Sequence, residues 1–240
     1  FMGIFLLVPS VLGALPTFEN LSMCWSFDDD DTDGTTLIDG VDPANDGTLV
    51  NSPVTSQTPA WLDEGYSSTG GAQGTNDAEY VETSPNENLN FGDADFTILF
   101  ITQVQDDGSG WQNLLHYGMR FSSPVDFGLG IQYVAQGAGA NIEFGIGSSD
   151  CETESRSSSS ETWTAGDWYI NTIRRNGTDV SLYINQSGDG VLDKIVSHTL
   201  AGDFCYPQDA GSMWVVSAYK YDATQYRADF VGTYDQLMVY

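Results

Sequence analysis

The sequence feature that most constrains the fold is the alternation, beyond residue 20, between short apolar segments and clusters of turn-forming residues. No stretch there has a sustained helical period, and the short segments are separated by Gly, Asn, Asp and Ser. In NIEFGIG, residues 141–147, apolar residues alternate with polar or small ones, as in a strand with one face in a core and the other in water. These patterns predict an all-β fold.

Turn signals divide this region into individual strands. The stretch GLGIQYVAQGAGANIEFGIG predicts two strands around a Gly-rich turn, and IRRNGTDVSLYI predicts two more around Asn176-Gly177, a dipeptide typical of hairpin turns. Residues 96–101 are apolar on both faces and predict a central strand, whereas serines 157–160 predict a loop. Turns at this spacing favour one domain built from two packed antiparallel sheets.

The charge balance of the chain is strongly acidic. Its 240 residues include 34 Asp and Glu but only seven Lys and Arg, a formal net charge of -27. No basic residue precedes Arg120, so no basic stripe could displace counterions from a phosphate backbone, and we expect neither nucleic acid nor an anionic membrane surface as a partner. An acidic surface stays hydrated when salt or divalent cations screen it, which favours a saline, extracellular environment.

The cysteines and the glycosylation sequons fit a secreted protein. Three cysteines allow at most one disulfide within the chain, and we predict the pair Cys151 and Cys205, with Cys24 buried beside Trp25. Three Asn-x-Ser/Thr sequons begin at Asn20, Asn176 and Asn185. The last two fall in apparent hairpin turns, where a glycan could be attached, so we predict a glycoprotein.

Four segments in order resemble the laminin G-like branch of the concanavalin A-like lectin and glucanase superfamily. They are CWSFDDDDTDGTTLIDGVDPANDGTL, NDAEYVE with DFTILFITQ, GDWYINTIRRNGTDVSLYINQSGDG and the closing GTYDQLMVY. The resemblance implies a two-sheet antiparallel jelly-roll sandwich over residues 22–240. Residues 1–21, an apolar N-terminal assembly segment, lie outside the resemblance. Members of that family include glycan binders, adhesion modules, calcium-dependent modules and glycoside hydrolases, so the fold alone does not choose a function.

Catalytic chemistry has little support in the sequence. The hydrolase branch of the resembling family carries its carboxylates on one strand as Glu-x-Asp-x-x-Glu, a pattern absent here. Glu143, Glu152 and Glu154 are the nearest candidates, and a solvated strand or loop also explains them. His116 and His198 lack the spacing of zinc ligands. We therefore predict that the chain is not an enzyme, with a divergent hydrolase that uses Glu143 or Glu152 as the least favoured alternative.

Calcium is the cofactor that the sequence suggests. The stretch DDDTDG at residues 29–34 supplies alternating carboxylates and the Gly of a sharp turn, although the twelfth position of an EF-hand loop is Gly40 instead of Glu. A second acidic group lies where the resemblance implies a structural calcium ion, held together with an Asp of the closing strand. The predicted ligands are Asp29, Asp31, Asp33, Asp39, Asp42, Asp46 and Asp235. Ordinary Asp-rich turns are the alternative explanation.

A sugar-binding surface would need exposed aromatic side chains. Trp61 and Trp111 are the predicted glycan contacts, because each lies in a loop-like context rich in Gly or Asp. Burial in the core of the sandwich is the alternative for both.

The first sixteen residues, FMGIFLLVPSVLGALP, carry no charge, and their side chains favour burial. They lack the basic start of a signal peptide, and an apolar run below about 20 residues that contains Pro9 and Pro16 argues against a full membrane span. We expect this segment to pack against identical subunits, as a donated strand or as a short helix in a pilin-like filament. The side chains expected in that interface are Phe1, Ile4, Phe5, Leu6, Leu7, Val8, Val11 and Leu12.

Together these inferences predict an extracellular structural or adhesive subunit of an appendage filament or a virion surface. Its laminin G-like head would face outward and bind glycan or calcium, and its partners would be identical subunits and surface glycans. A freestanding, secreted glycan-binding lectin module is the alternative.

Overall fold

The computed structural model describes most of the chain beyond residue 19. The described residues are 20–27, 32–33, 35–51, 54–57, 64–69, 79–84, 86–105, 111–119, 126–136, 139–148, 150–151, 154–159, 163–186, 191–206, 214–220, 226–227 and 230–240. The predicted sites at Asp29, Asp31, Trp61 and Glu152, and the apolar segment at residues 1–16, lie outside these ranges.

The first of two sheets, sheet A, contains eight strands among the described residues. They are β1 (Met23–Trp25), β5 (Val54–Gln57), β6 (Glu64–Thr69), β8 (Thr97–Val104), β13 (Trp168–Asn176), β14 (Asp179–Gln186), β15 (Asp193–Thr199) and β19 (Val231–Val239). The strand order is β15-β14-β13-β8-β19-β6-β5, and β1 pairs with the other end of β19. The predicted central strand is therefore confirmed, since β8 lies between β13 and β19.

Sheet B contains eleven strands among the described residues. They are β2 (Thr32–Asp33), β3 (Thr36–Leu37), β4 (Gly47–Val50), β7 (Tyr80–Glu82), β9 (Trp111–Met119), β10 (Asp126–Gln136), β11 (Gly139–Gly147), β12 (Glu154–Ser159), β16 (Trp214–Val216), β17 (Tyr219–Lys220) and β18 (Tyr226–Arg227). The main order is β12-β11-β10-β9-β16-β7-β4-β3-β2. Pairing in both sheets is antiparallel apart from a single parallel pair between β17 and β9.

The predicted two-sheet, all-β sandwich is confirmed. Several paired strands are distant in sequence, such as β1 with β19 and β8 with β19, as in a jelly roll. Short 3₁₀ turns occur at Pro43–Asn45 and Glu87–Leu89, and the described ranges contain no α-helix. Within those same ranges, no helix has the length and apolar character to cross a membrane.

Local turn chemistry explains the two predicted hairpins. β13 and β14 are joined at Gly177-Thr178, with Asn176 opposite Asp179, and Gly177 has φ 59°, a backbone conformation that glycine adopts without strain. β10 and β11 pair from Leu129 opposite Ile146 to Gln136 opposite Gly139. Both hairpins therefore follow the sequence pattern.

Two local predictions are wrong. Serines 157–159 belong to the edge strand β12 instead of a loop, because their backbones pair with β11 and an edge strand accepts polar side chains. Asn185 lies within β14 opposite Ile170, not in a hairpin turn, because the ladder between β13 and β14 continues to Gln186. In both cases long-range pairing overrides local turn propensity.

The core lies between the two sheets and is rich in aromatic side chains. Trp25 and Tyr234 enter it from sheet A, and Tyr117, Phe144 and Trp214 enter it from sheet B, each at most 1% exposed. Rings of this size remove a large apolar area from water, and tilted pairs such as Tyr117 with Trp214, 4.6 Å between centroids, pack efficiently. This packing fixes which face of each strand points inward and which points away from the core.

Candidate functional site

A group of hydrogen-bonding side chains occupies the face of sheet B that points away from the core. On β10 and β11 the apolar residues of the core alternate with outward-facing ones, and the register of β9 to β12 aligns the outward residues of neighbouring strands. We call this group the polar face. Its residues are Asn113, His116, Gln132, Glu143, Arg156 and Ser158.

A β-bulge in β9 brings Asn113 to the polar face. Leu115 pairs with Ile131 and Asn113 pairs with Gln132, so that Leu114 is an extra residue in the ladder. Both leucines are buried in the core. Regular alternation would have turned Asn113 inward, and the extra residue reverses its direction.

The bulge is held in place by hydrogen bonds that cross between elements. The Leu114 carbonyl accepts from the Tyr234 hydroxyl of sheet A at 2.6 Å and from the Ser217 backbone N–H at 2.9 Å. Tyr234 is buried, and burial raises its pKa well above the usual value, so it remains a donor. The position of Asn113 is thus determined by both sheets.

Four side chains of the polar face form a connected hydrogen-bond network with Asn113. The Gln132 amide donates to Asn113 Oδ1. Arg156 Nη1 lies 3.0 Å from Glu143 Oε2 and 3.5 Å from Gln132 Oε1. Ser158 Oγ donates to Glu143 Oε1 at 3.4 Å. Donors and acceptors therefore alternate across four adjacent strands.

A second row of the polar face contains two glycines. Gly130 pairs with His116 on one side and with Gly145 on the other, and Gly145 pairs with Arg156. A Cβ at Gly130 would come within 2.8 Å of His116 Cε1, so the imidazole ring lies over the β10 backbone. Gly145 adds no side chain of its own between His116 and Arg156, and its backbone is buried.

The polar face has a buried end and an exposed end. Asn113 and Gln132 are 0% and 4% exposed, whereas the Arg156 and Glu143 side chains retain 28% and 17% of their accessible surface. Asn113 Nδ2 is a buried donor that has no hydrogen-bond acceptor among the described residues. An unpaired buried amide N–H costs free energy, and a ligand that supplies an acceptor removes that cost.

Glu143, a candidate in the sequence analysis, is the carboxylate of the polar face. Glycosidases of either stereochemistry need two carboxyl groups within roughly 5–9.5 Å of each other. Glu82 faces the same side of sheet B, but β7 and β11 are separated by three strands, or roughly 19 Å at the usual strand spacing. Glu143 and Glu82 therefore do not form such a pair.

A cleft of about 340 Å³ lies in the loops beyond the strand ends, and its lining residues are different from those of the polar face. Its lining includes Asn90, Asp150, Asp203 and Tyr206. The disulfide between Cys151 and Cys205, the pair favoured from the sequence, joins two of its loops.

Arg175 joins three loops at the same end of the sandwich. Its guanidinium is buried and donates to the carbonyls of Gly177 at 2.9 Å, Gly92 at 2.8 Å and Gly202 at 2.6 Å. Phe204 N–H also donates to the Gly92 carbonyl at 2.5 Å. Gly92 and Phe204 line the cleft, so the hydrogen bonds of the buried Arg175 position part of the cleft wall.

The predicted calcium ligands that the structure describes have structural hydrogen bonds. Asp39 Oδ1 accepts from the backbone N–H groups of Val41 and Asp42, at 2.6 and 2.9 Å, and Oδ2 accepts from that of Cys24 at 3.0 Å. Burial raises the pKa of Asp39, and these three N–H groups oppose that rise. Asp46 Oδ1 accepts from the Asp39 N–H at 2.8 Å. These carboxylates stabilise the turn around Pro43–Asn45.

The other predicted ligands do not join Asp39 in a described cluster. Asp42 accepts from Ala44 N–H and from the Asn88 amide, Asp33 is exposed at the end of β2, and Asp235 is buried on β19. Within the described ranges, no three His, Cys, Asp or Glu side chains are arranged to hold a metal ion. With two of its ligands outside those ranges, the calcium site stays a prediction.

The three sequons differ in accessibility. Asn20 is exposed, and Asn176 is exposed at the β13–β14 hairpin. Asn185 is 4% exposed within β14, so its amide is not accessible for attachment of a glycan in the folded chain. The Asn185 prediction is therefore corrected, while those at Asn20 and Asn176 stay predictions.

One residue of the polar face, Glu143, was predicted from the sequence. Trp111, a predicted glycan contact, begins β9 opposite Val134, and its contact with a glycan stays a prediction. The sequence did not reveal Asn113, Gln132, Arg156 and Ser158, because they come together only through the register of four strands and one bulge. The available signal was polar alternation along each strand, which does not reveal which residues are neighbours across a sheet.

Comparisons with known proteins identify the fold. No family model and no curated protein matches the chain in sequence. Domain 4 of AbnA, a GH43 extracellular arabinanase from Geobacillus stearothermophilus solved with arabinotriose, is 17% identical at a TM-score of 0.59, over 92% of this chain and 91% of that one. Ruminococcus gnavus IT-sialidase CBM40, bound to α2,3 sialyllactose, is 14% identical at a TM-score of 0.51, over 78% of this chain and 90% of that one.

A larger enzyme also contains this fold. Trypanosoma rangeli sialidase in complex with sialic acid is 14% identical at a TM-score of 0.60, over 98% of this chain. The chain spans about a third of the sialidase, since the match covers 33% of that protein. The fold is thus a β-sandwich shared with glycan-binding and glycan-cleaving proteins. The narrower laminin G-like assignment stays a prediction.

The prediction that the chain is not an enzyme is wrong. The solved structures that share its fold include a domain of an arabinanase and sialidases, which are glycosidases. The absence of one sequence motif, Glu-x-Asp-x-x-Glu, excluded a single arrangement of carboxylates and was too narrow to exclude an enzyme class.

Proposed function

We propose that this chain is a glycan-binding β-sandwich and that the polar face is its binding site. The observation that supports the proposal most directly is the buried Asn113 amide donor, which lacks an acceptor among the described residues. It belongs to a network that continues to the exposed Arg156 and the partly buried Glu143. Two structural neighbours were solved with oligosaccharides, and in both the match covers about nine-tenths of the neighbour's own length. This agrees with the proposal.

The chemistry of the polar face suits sugar hydroxyl groups. Each hydroxyl donates one hydrogen bond and accepts others, so adjacent hydroxyls need donors and acceptors side by side. Arg156 and Asn113 provide donors, and Glu143 and the Gln132 carbonyl provide acceptors. Gly130 and Gly145 add no side chains of their own to the row between His116 and Arg156.

The test is glycan binding by matched arginine variants. On a glycan array, followed by calorimetry, Arg156→Gln should weaken binding about tenfold or more, because a hydrogen bond to a charged donor is lost. Arg174→Gln is the control, since Arg174 is exposed on β13 in the other sheet. Equal affinities for the two variants, or an array without any bound glycan, would refute the site.

Hydrolysis should be assayed on the same glycans, because the fold is shared with glycosidases. Release of reducing ends that depends on Glu143 would add a catalytic role to this binding site. Release that survives Glu143→Gln would place the catalytic groups elsewhere in the chain.

We also propose an extracellular location, in line with the extracellular arabinanase among the neighbours. The role as a filament or virion subunit has no support in these comparisons and depends on the apolar residues 1–16 alone. Removal of residues 1–15 tests it: a folded head that no longer assembles is expected, and assembly that persists after the deletion contradicts it.

A further inference from the structure

We infer that the polar face selects uncharged glycans over glycans that carry a carboxylate. This inference rests on the proposed function, and it concerns the charge of the ligand. The polar face has one described cation, Arg156, and Glu143 lies 3.0 Å from it. The charges of these two side chains cancel, so the site offers hydrogen bonds without a net positive charge.

A carboxylate ligand would have to compete with Glu143. Recognition of a carboxylate by arginine uses two parallel N–H···O bonds from one edge of the guanidinium. Arg156 Nη1 already contacts Glu143 Oε2 and also lies 3.5 Å from Gln132 Oε1. An incoming carboxylate that displaced Glu143 would leave two like charges side by side next to one guanidinium, and this arrangement is unfavourable.

The negative net charge of the whole chain also disfavours anionic ligands. Its formal net charge is -27, with seven Lys and Arg in total. Screening shortens the range of this repulsion to about 8 Å at physiological ionic strength, yet a ligand at the protein surface lies within that distance. Glu143 itself is part of the site, so its repulsion is the least screened.

Neutral hydroxyl groups avoid this competition. A hydroxyl can donate to Glu143 and accept from Arg156 without separating the ion pair, because a carboxylate has several acceptor positions and a guanidinium has five N–H groups. Ser158 already shares Glu143 with Arg156 in this manner. The ion pair therefore acts as one donor-acceptor unit for a neutral sugar.

The experiment uses pairs of glycans that differ only in one carboxylate. Suitable probes are oligogalacturonides with their methyl esters, and glucuronic acid-terminated oligosaccharides with their glucose-terminated equivalents. Where the wild-type chain binds a member of a pair, it should bind the neutral member about tenfold more tightly than the acidic member at physiological salt. Glu143→Gln removes the competing carboxylate next to Arg156, so it should raise the affinity for the acidic member about tenfold and reduce the preference to about threefold or less.

The control is Glu82→Gln, which removes one negative charge from the same side of sheet B, with three strands between it and Glu143. It should leave the preference unchanged. If the wild type binds acidic glycans more tightly than neutral ones, and Arg156→Gln loses this binding, the inference is overturned and the proposed function stays intact. A preference that Glu143→Gln does not alter would also overturn it. Binding of neither class would overturn the inference together with the proposed function.

Discussion

Replacement of Arg175 by methionine should destabilise the chain strongly, because this side chain joins three loops from inside the protein. Arg175 is 3% exposed, and its guanidinium donates to three carbonyl groups. No carboxylate lies in ion-pair contact with it among the described residues. Methionine keeps the apolar volume and loses all three hydrogen bonds. The comparison therefore isolates the hydrogen bonds from the packing of the side chain.

The expected size follows from partly opposing terms. Hydrogen bonds to a charged donor are worth about 1.5–3 kcal/mol each, while removal of a buried charge returns part of its desolvation cost. Gly177 and Gly202 are exposed, so water can partly replace the lost donor at their carbonyls. We expect a net loss of about 2–4 kcal/mol in the free energy of unfolding, or about 5–15 °C in Tm for a chain of this length.

The assay is equilibrium denaturation under non-reducing conditions, so that the disulfide stays intact in both states. Arg174→Met is the control, because Arg174 is the exposed neighbour on the same strand and should change stability by about 0.5 kcal/mol at most. Arg175→Lys should fall between the two, since one ammonium group cannot reach three carbonyls in the same geometry. Equal stability of the two methionine variants would refute the structural role of Arg175.

Three further predictions concern stability. Gly232→Ala should unfold the chain or cost more than about 3 kcal/mol, because the new Cβ would lie 2.1 Å from the Gln103 carbonyl oxygen; a cost near zero in denaturation would contradict the register of β19. Hydrogen bonds from Lys194, 2.8 Å away, and from Ser181 lower the pKa of Asp179 below 3.8 in the folded chain. These contacts should stabilise the fold by about 0.2–1 kcal/mol above pH 3.8, and this stabilisation should disappear as pH falls through the pKa of Asp179 in the folded chain. An Asp179→Asn variant that equals the wild type at pH 7, or an Asp179 pKa at or above 3.8 by NMR, would contradict this. If calcium binds, millimolar calcium after chelation should raise Tm, and an unchanged Tm would remove the calcium proposal.

The sequence predicted the parts of the fold that local patterns determine. Alternation identified the strand with Ile142, Phe144 and Ile146 facing the core, and Asn176-Gly177 identified a hairpin. Asn185 was misplaced because Asn and Ser favour turns locally, whereas pairing with Ile170 keeps that residue in a strand. Such pairing depends on partners that are far away in sequence, and a local pattern does not contain them.

The candidate site was predictable only in part for the same reason. Glu143 was recognisable as an outward-facing acid, but its contact with Arg156 depends on the register of β11 with the edge strand β12. Asn113 faces the site only because of the bulge at Leu114, which two hydrogen bonds from other elements hold in place. The fold comparison corrected the enzyme prediction, since a missing motif says little about an activity that several arrangements of carboxylates can perform.

The polar face is tested as a glycan-binding site by an NMR titration of the isotope-labelled chain with the glycan that binds most tightly on the array. We expect the side-chain amide signals of Asn113 and Gln132 and the backbone signals of Gly145 and Arg156 to shift together, with a dissociation constant that agrees with calorimetry. Shifts confined to the cleft around Tyr206, with the amide signals of Asn113 and Gln132 unchanged, would contradict the polar face as the glycan-binding site.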